Sequence, residues 1–391
     1  MGQLTASFFD HIDDIDSKHW DSLGCCDNTY YTPEFFKAFE LAHDDIEFKY
    51  IIIFRGDEAI AFANTQIVTI SIETITKNIK ISDTIKRNIN NFFNKNSPRI
   101  LFCGNVFLSG EYGTFLKKGE DKEETFKAIA DAVKELYKPN RTLNAIFIKD
   151  FKQESLYITN SLRCYDYIPM KVEPNMIIYL KEEWTSFDDY KNALKSKYRV
   201  KANKADSTSK SLKAKLFTPE CIERYKDQLQ ALYENTISNS NFNAQVLNLN
   251  TYTHLKAFFG DKFIVKGYFS DDKLVGYLSA MVNQDNLDAH FIGLDYSLNK
   301  SHAIYPRILN DYVRLGIEHG SKRINLGRTA SEIKSTLGAL PEDLTCYIRH
   351  RKTIQNQLMK PFIKNVQIKS YKQHQPFKEN SSTKKEAKTA S

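Results

Sequence analysis

Apolar positions along the chain form two runs of the same design. Phe48–Thr69 reads FKYIIIFRGDEAIAFANTQIVT, and Phe263–Asn283 reads FIVKGYFSDDKLVGYLSAMVN. Each opens with β-branched and aromatic residues, breaks at a short acidic turn and resumes as a second apolar run, the pattern of a β-hairpin. The turns are Arg55-Gly56-Asp57-Glu58 and Ser270-Asp271-Asp272-Lys273. A constant offset of 215 places Phe48 on Phe263, Asp57 on Asp272 and Ala61 on Gly276. A further apolar strand follows each hairpin, Ile100–Gly104 and Leu287–Leu294. Helical periodicity comes next. Phe126, Ile129, Ala130, Val133, Leu136 and Tyr137 share one side of Glu123–Tyr137, as do Ile308, Leu309, Tyr312, Val313 and Ile317 in Ile304–His319. Strands Asn144–Lys149 and Arg323–Gly327 close the two series.

The order hairpin, strand, helix, strand thus occurs twice. It predicts a duplicated α/β (mixed α+β) protein, each half a mixed sheet flanked by helices. The halves are expected at 1–175 and 176–370, joined near Pro169–Pro174, where two prolines punctuate the chain. Residues 371–391 are polar and nearly free of aliphatics, which predicts a disordered basic tail.

Composition narrows the class. The chain has 391 residues, 41% of them hydrophobic, with only 15 Gly and 10 Pro, which excludes a collagenous or wholly disordered polymer. A chain of this length builds a core without disulfides or a structural metal. Its six cysteines show neither CxxC nor Cys/His metal spacing, so no metal site is expected. Mean hydropathy is −0.47, and no run approaches the roughly 18–20 apolar residues of a membrane span. The N-terminal MGQLTASFFDHIDDIDS lacks the basic and apolar regions of a secretory signal, and a cytoplasmic protein is expected.

The net charge of +7 is unevenly placed. Residues 195–215 carry +7 and residues 360–391 carry +6, leaving the rest mildly acidic. The 195–215 segment follows a short helix predicted in Trp184–Leu194. With Tyr198 and Arg199 among its cations, it suits an anion-receiving surface for a phosphorylated ligand.

The densest chemistry lies in Arg323–Leu340, RINLGRTASEIKSTLGAL. Gly327 ends a predicted strand, and Arg328 emerges at its C-terminal end, where α/β sheets place their crevices. Ser331 is expected to cap a short helix with Glu332 in its first turn, closed by Gly338. Arg328, Thr329, Glu332 and Lys334 would then crowd one mouth of the sheet. Two readings stand: a capped helix with a structural Arg–Glu pair, or a substrate site with a cationic clamp and a carboxylate base.

The twofold pattern resembles the GNAT acyltransferase fold. The stretch LDYSLNKSHAIYPRILNDYVRLGIEHGSKRINLGRTASEIKSTLGA, with SKYRVKANKA before it, looks like the tandem-GNAT group around the FemAB-type peptidoglycan aminoacyltransferases and the BioF2-like acetyltransferase domains. The resemblance is specific over about 190–350 and implies acyl or aminoacyl transfer to an amine, with the working site in the second half. A neutral amine would attack an activated carbonyl while a base takes its proton and donors hold the oxyanion. Glu332 is the expected base and His290 its rival. Arg328, Thr329, Lys334, Tyr198 and Arg199 would bind substrate. Tyr296, Lys300, His302 and Tyr305 lie just past the strand where the GNAT fold binds its donor. Acyl-CoA is the expected co-substrate, or an acyl carrier protein, with a small or cell-envelope amine as acceptor. Aminoacyl-tRNA as donor, and a non-catalytic envelope-precursor binder, are the alternatives. The sequence departs from the acyl-CoA pattern. In place of a glycine-bearing pyrophosphate loop it has Ser297-Leu298-Asn299-Lys300-Ser301-His302-Ala303. The segment between the basic stretch and the next elements, Lys215–Asn250, leaves little room for the long helical hairpin common in the FemAB-type enzymes.

Overall fold

The computed structural model describes residues 3–70, 97–238, 245–364, 368 and 370–378. In the first half, β1 (Leu4–Phe9) pairs with β2 (Glu47–Arg55), which turns into β3 (Glu58–Thr69). β3 pairs with β4 (Arg99–Cys103) and, further along, with the short β5 (Thr114–Leu116). β6 (Leu143–Lys152) then lies parallel to β4. The second half repeats this with β8 (Lys213–Leu216), β9 (Phe263–Ser270), β10 (Lys273–Asn283), β11 (Asn286–Leu294) and β12 (Arg323–Asn325), the last parallel to β11. Both hairpin turns have two residues, and both take positive φ at the first, +61° at Gly56 and +51° at Asp271. These positions are 215 apart, so the duplication extends to backbone conformation. Glycine and aspartate are among the residues that tolerate this region.

The last strand of each half crosses to the other. β7 (Ile168–Tyr179) pairs with β12, β13 (Leu340–His350) pairs with β6, and the two pair with each other between them. One continuous sheet results, in the order β1-β2-β3-β4-β6-β13-β7-β12-β11-β10-β9-β8. The joint expected near Pro169–Pro174 therefore lies inside a central strand. Pro174 stands where the β7–β13 register shifts, between the Glu342–Asn175 and Leu344–Val172 pairs. A residue lacking a backbone N–H is tolerated at such an irregularity.

Alternation along β2 sets the layers: Tyr50 and Ile52 face one core, Ile51 and Ile53 another. The first face is covered by α1 (Ser17–Leu23) and α2 (Pro33–Glu40) from one half, and by two helices from the other. Those two, the long helix Pro219–Ser238 and the helix Asn250–Phe259, place Leu229, Tyr233, Tyr252 and Leu255 in the same core as Phe35, Phe36 and Phe39. Truncating a side chain such as Phe35 costs roughly 3–5 kcal/mol. The opposite face is covered in the first half by α3 (Lys122–Tyr137) and α4 (Asn160–Cys164). In the second half α5 (Phe187–Ala193), α6 (Ser196–Thr208) and the helix Ile304–Glu318 cover it. In chain order the three helices just named by range are α7 (Pro219–Ser238), α8 (Asn250–Phe259) and α10 (Ile304–Glu318), with α9 (Tyr296–His302) between the last two.

Residues 371–378, expected as part of a disordered tail, are packed as a strap. Phe377 inserts beside Trp184 and Tyr190 and pairs with Leu194. Lys195 N donates to Pro376 O at 2.8 Å, and Lys378 N to Ala193 O at 3.0 Å. The two aromatic residues of this stretch, Tyr371 and Phe377, outweigh its polar composition because an apolar groove receives them. The rest of the expected tail, 379–391, lies outside the described residues. Among the described residues no helix is long and apolar enough to cross a membrane.

Candidate functional site

The first half reaches into the second through one turn. Asn28 accepts from Tyr30 N (3.0 Å) and from Asn283 Nδ2 (3.0 Å), while Thr29 N donates to Asn283 Oδ1 (2.9 Å). Asn283 ends β10 and is buried, so the turn Thr29–Tyr31 is clamped onto the second half. This carries the Tyr30 hydroxyl to β11, 2.9 Å from Asp288 Oδ2 and 3.0 Å from His290 Nε2. Asp288 and His290 are two apart on a strand and so share a face. The Tyr112 ring lies against Tyr30, centroids 4.4 Å apart.

Burial sets the charge states. It raises the Asp288 carboxyl to about 6, against the lowering effect of the Tyr30 hydrogen bond and of Arg323. It pushes His290 down to about 4, so the imidazole is neutral at pH 7. Burial and the neighbouring Asp288 push the Tyr30 phenol well above its usual value, and it stays protonated. With Tyr30 donating to Asp288, its oxygen accepts from His290 Nε2–H. That assigns the tautomer and leaves Nδ1 as an acceptor, with no hydrogen-bond partner among the described residues. Asp288 is thus a carboxylate poised to take a proton near neutral pH, linked through two hydrogen bonds to a ring nitrogen that can receive one.

A cleft of about 590 Å³ lies alongside, lined from both halves. Its lining includes Asn28, Tyr31, Glu111 and Tyr112 of the first half and Asn283 and Arg323 of the second. Glu342 links Lys152 (3.1 Å) to Arg323 (3.2 Å) across the seam, and the buried Nε of Arg323 has no partner. The cleft presents both signs of charge.

The residues expected around Arg328 are placed differently. Arg328 pairs with Asp150 of β6 and not with Glu332. Asp150 is fully buried and also accepts from Cys346 Sγ (3.1 Å) and Gly110 N (3.2 Å), with Lys149 Nζ 3.5 Å away. Burial alone would raise its carboxyl; Lys149 and Arg328 outweigh burial and hold it below the usual range. Glu332 is exposed, 3.5 Å from His374 Nε2 of the strap. Lys334 is buried, and its Nζ donates to the carbonyls of Gly327 (3.2 Å) and Arg328 (2.5 Å). Burial lowers its pKa to about 7. Ser331 is the first residue of α11 (Ser331–Ser335) and not its cap. The capping position is Ala330, at φ +49° with no side-chain bond. Gly327, Thr329 and Ala330 all take left-handed backbone, so the chain turns more sharply than a capped helix start requires. Lys334 satisfies the carbonyls this turn frees. Thr329 is exposed.

Of the other expected residues, Tyr198 bonds His374 Nδ1 (3.1 Å), and Arg199 is half-buried on the same helix, α6. Tyr296, Lys300 and His302 lie on α9, and Tyr305 opens α10, directly after β11 as expected. The N-cap of α9 is occupied: Asp295 accepts from Ser297 N at 3.0 Å. A carboxylate there disfavours a second anion. Of the expected site residues His290 joins the Tyr30–Asp288 chain, and Arg328 crosses the junction of the halves elsewhere, to Asp150. Asp288, Tyr30, Tyr112 and Arg323 were not anticipated, although the Asp288-Ala289-His290 spacing in a strand was a signal for the first of them.

The corresponding place in the first half carries no such chemistry. Thr65 and Ala280 are 215 apart, and they pair with Cys103 and Ala289. Phe102 and Gly104 therefore correspond to Asp288 and His290. Phe102 packs on Phe147, centroids 5.4 Å apart.

No protein-family model matches the sequence, and no curated protein matches it significantly. Solved structures do. FemX superimposes with a TM-score of 0.52 at 11% identity, over 90% of this chain and 100% of that one. A tandem GNAT protein from the clavulanic acid biosynthesis pathway gives 0.51 at 8% identity, over 89% and 98%. The chain shares the tandem GNAT fold of these two structures.

Proposed function

We propose that the chain is an N-acyltransferase that moves an acyl group from a thioester donor, acyl-CoA or acyl carrier protein, to the amine of a small or cell-envelope precursor. The observation that carries this reading is the Asp288–Tyr30–His290 chain beside a cleft shared by the two halves. The amine nitrogen attacks the thioester carbonyl and its proton passes to His290 Nδ1. His290 Nε2–H moves to the Tyr30 oxygen and Tyr30 O–H to Asp288, leaving Asp288 protonated, Tyr30 neutral and His290 as its Nδ1–H tautomer. Loss of the Asp288 proton and return of the imidazole to the Nε2–H form reset the chain. The thiolate leaves as the tetrahedral intermediate collapses. Such general-base assistance is worth about 10²–10⁴-fold.

The second reading, transfer from aminoacyl-tRNA, is favoured by the likeness to FemX. Against it, α7 and α8 are spent on the core, where they correspond in order to α1 and α2. The test is mass-spectrometric detection of an N-acylated amine from acetyl-CoA, a long-chain acyl-CoA, an acyl-loaded carrier protein and an aminoacyl-tRNA. A thioester-derived product that Asp288→Asn abolishes is expected. Product from aminoacyl-tRNA alone would select the second reading. Tight binding of an envelope precursor by a protein inert with every donor would select a non-catalytic binder.

A further inference from the structure

The donor-side loop leaves a question of how a thioester is held. The segment Ser297–Ala303 contains no glycine, and Asp295 occupies the amides at the start of α9. A nucleotide pyrophosphate finds there neither close backbone approach nor free N–H groups. The binding energy must come from elsewhere on the donor.

A surface suited to supplying it lies next door. α6 presents Lys197, Lys201 and Lys204 at i, i+4 and i+7, one stripe of the helix, all exposed. Val200 lies within the stripe and is 60% exposed. Among the described residues no carboxylate lies within ion-pair distance of these three lysines. The helix is fixed from beneath. Ala202 and Ala205 are buried, Asn310 Nδ2 of α10 donates to Ala202 O (3.0 Å) and Asp206 Oδ1 (3.0 Å), and Arg314 pairs with Asp206 at 2.5 Å. α6 packs on α10, and α10 packs on the face of β11 opposite the Asp288 and His290 side chains, so a partner seated on α6 stands one helix away from the strand that carries the site. Lys213 and Lys215, exposed on the edge strand β8, extend the same basic run.

We propose that α6 docks an acidic, helical acyl carrier protein, whose long thioester-bearing arm spans from this face of the sheet to the site on the other; this rests on the transferase reading above. A two-turn stripe of lysines around one apolar residue matches the acidic face of a helix, with Val200 at the dry centre and charge at the rim. Unpaired RNA requires stacking surfaces, and the one aromatic residue on α6, Tyr198, is tied to His374. A membrane surface requires more than one inserted apolar side chain on the helix for stable attachment.

The test is calorimetric titration of the full chain with a hexanoyl-loaded acidic acyl carrier protein at about 50 mM and about 300 mM salt, a range over which exposed charge pairs are progressively screened. The triple variant Lys197→Glu, Lys201→Glu, Lys204→Glu is titrated alongside. Micromolar binding that weakens by about tenfold or more in the variant and at high salt is expected. Transfer from hexanoyl-pantetheine, which has no protein to dock, should be unchanged within about twofold in the variant. Carrier binding equal in wild type and variant would overturn the docking site. So would a wild type that ignores the carrier but binds tRNA or phosphatidylglycerol vesicles through the same lysines. Docking with no transfer from any thioester would leave the site standing and remove the transferase reading.

Discussion

The Tyr30 hydroxyl stands 2.9 Å from Asp288 Oδ2 and 3.0 Å from His290 Nε2, so one half of the molecule completes a pair held on a strand of the other. The Asn28–Asn283 clamp holds that contact. Tyr30→Phe keeps the packing and removes the bridge. Turnover should fall by about 10-fold to 100-fold while the fold persists. Because the Tyr30 hydrogen bond lowers the Asp288 pKa, the acid limb of the kcat–pH profile should also move upward. An unchanged limb would place Tyr30 outside the proton path.

Asp288→Asn separates activity from stability. The folded pKa of about 6 lies above the roughly 3.9 of an unfolded aspartate, so the folded state holds the extra proton and the ionised carboxylate opposes folding at neutral pH. The substitution should lower turnover by about 10²-fold or more. It should also raise unfolding free energy at pH 7 by on the order of 1–3 kcal/mol. Denaturant titrations should show that gain shrinking as pH falls through 6 and vanishing below about 4. His290 works in the opposite sense: its folded pKa is lowered, so its contribution is present above about 6.5 and is lost as pH falls toward 4.

Arg328 and Asp150 tie the halves together. Arg328→Ala leaves Asp150 fully buried, with Lys149 alone as its cationic partner, and should cost about 3–5 kcal/mol. Adding Asp150→Asn should restore part of the loss, read as a positive coupling in a double-mutant cycle. Strict additivity would show that the pair is not a functional contact.

Glu332 and Lys334 are expected to affect stability more than turnover. Glu332 is exposed and faces His374, so Glu332→Gln should keep turnover within about threefold, below the scale of general-base loss. Lys334→Met removes the donor to two backbone carbonyls and should lower stability by about 1–3 kcal/mol with little change in KM. A large kcat loss in Glu332→Gln would return the base to α11.

The duplicated sheet was legible because each hairpin, strand and helix announces itself by local periodicity. The exchange of β7 and β13 was not, because strand partners are chosen across the whole chain and no local pattern names them. The same holds for the site. His290 was visible as an isolated histidine on a strand, but its partner Tyr30 is 260 positions away and arrives on a turn. Arg328 and Glu332 are near neighbours in sequence, yet the left-handed turn through Thr329 and Ala330 keeps them from pairing. Phe377 was lost in a polar tail, and only the groove beside Trp184 shows why it is held.

The most direct test of the account is the pH dependence of acyl transfer from a thioester to an amine by wild type and Asp288→Asn. A wild-type acid limb near pH 6 is expected, with a variant at least about 10²-fold slower and the limb gone. A variant that turns over at the wild-type rate with the same limb would contradict it.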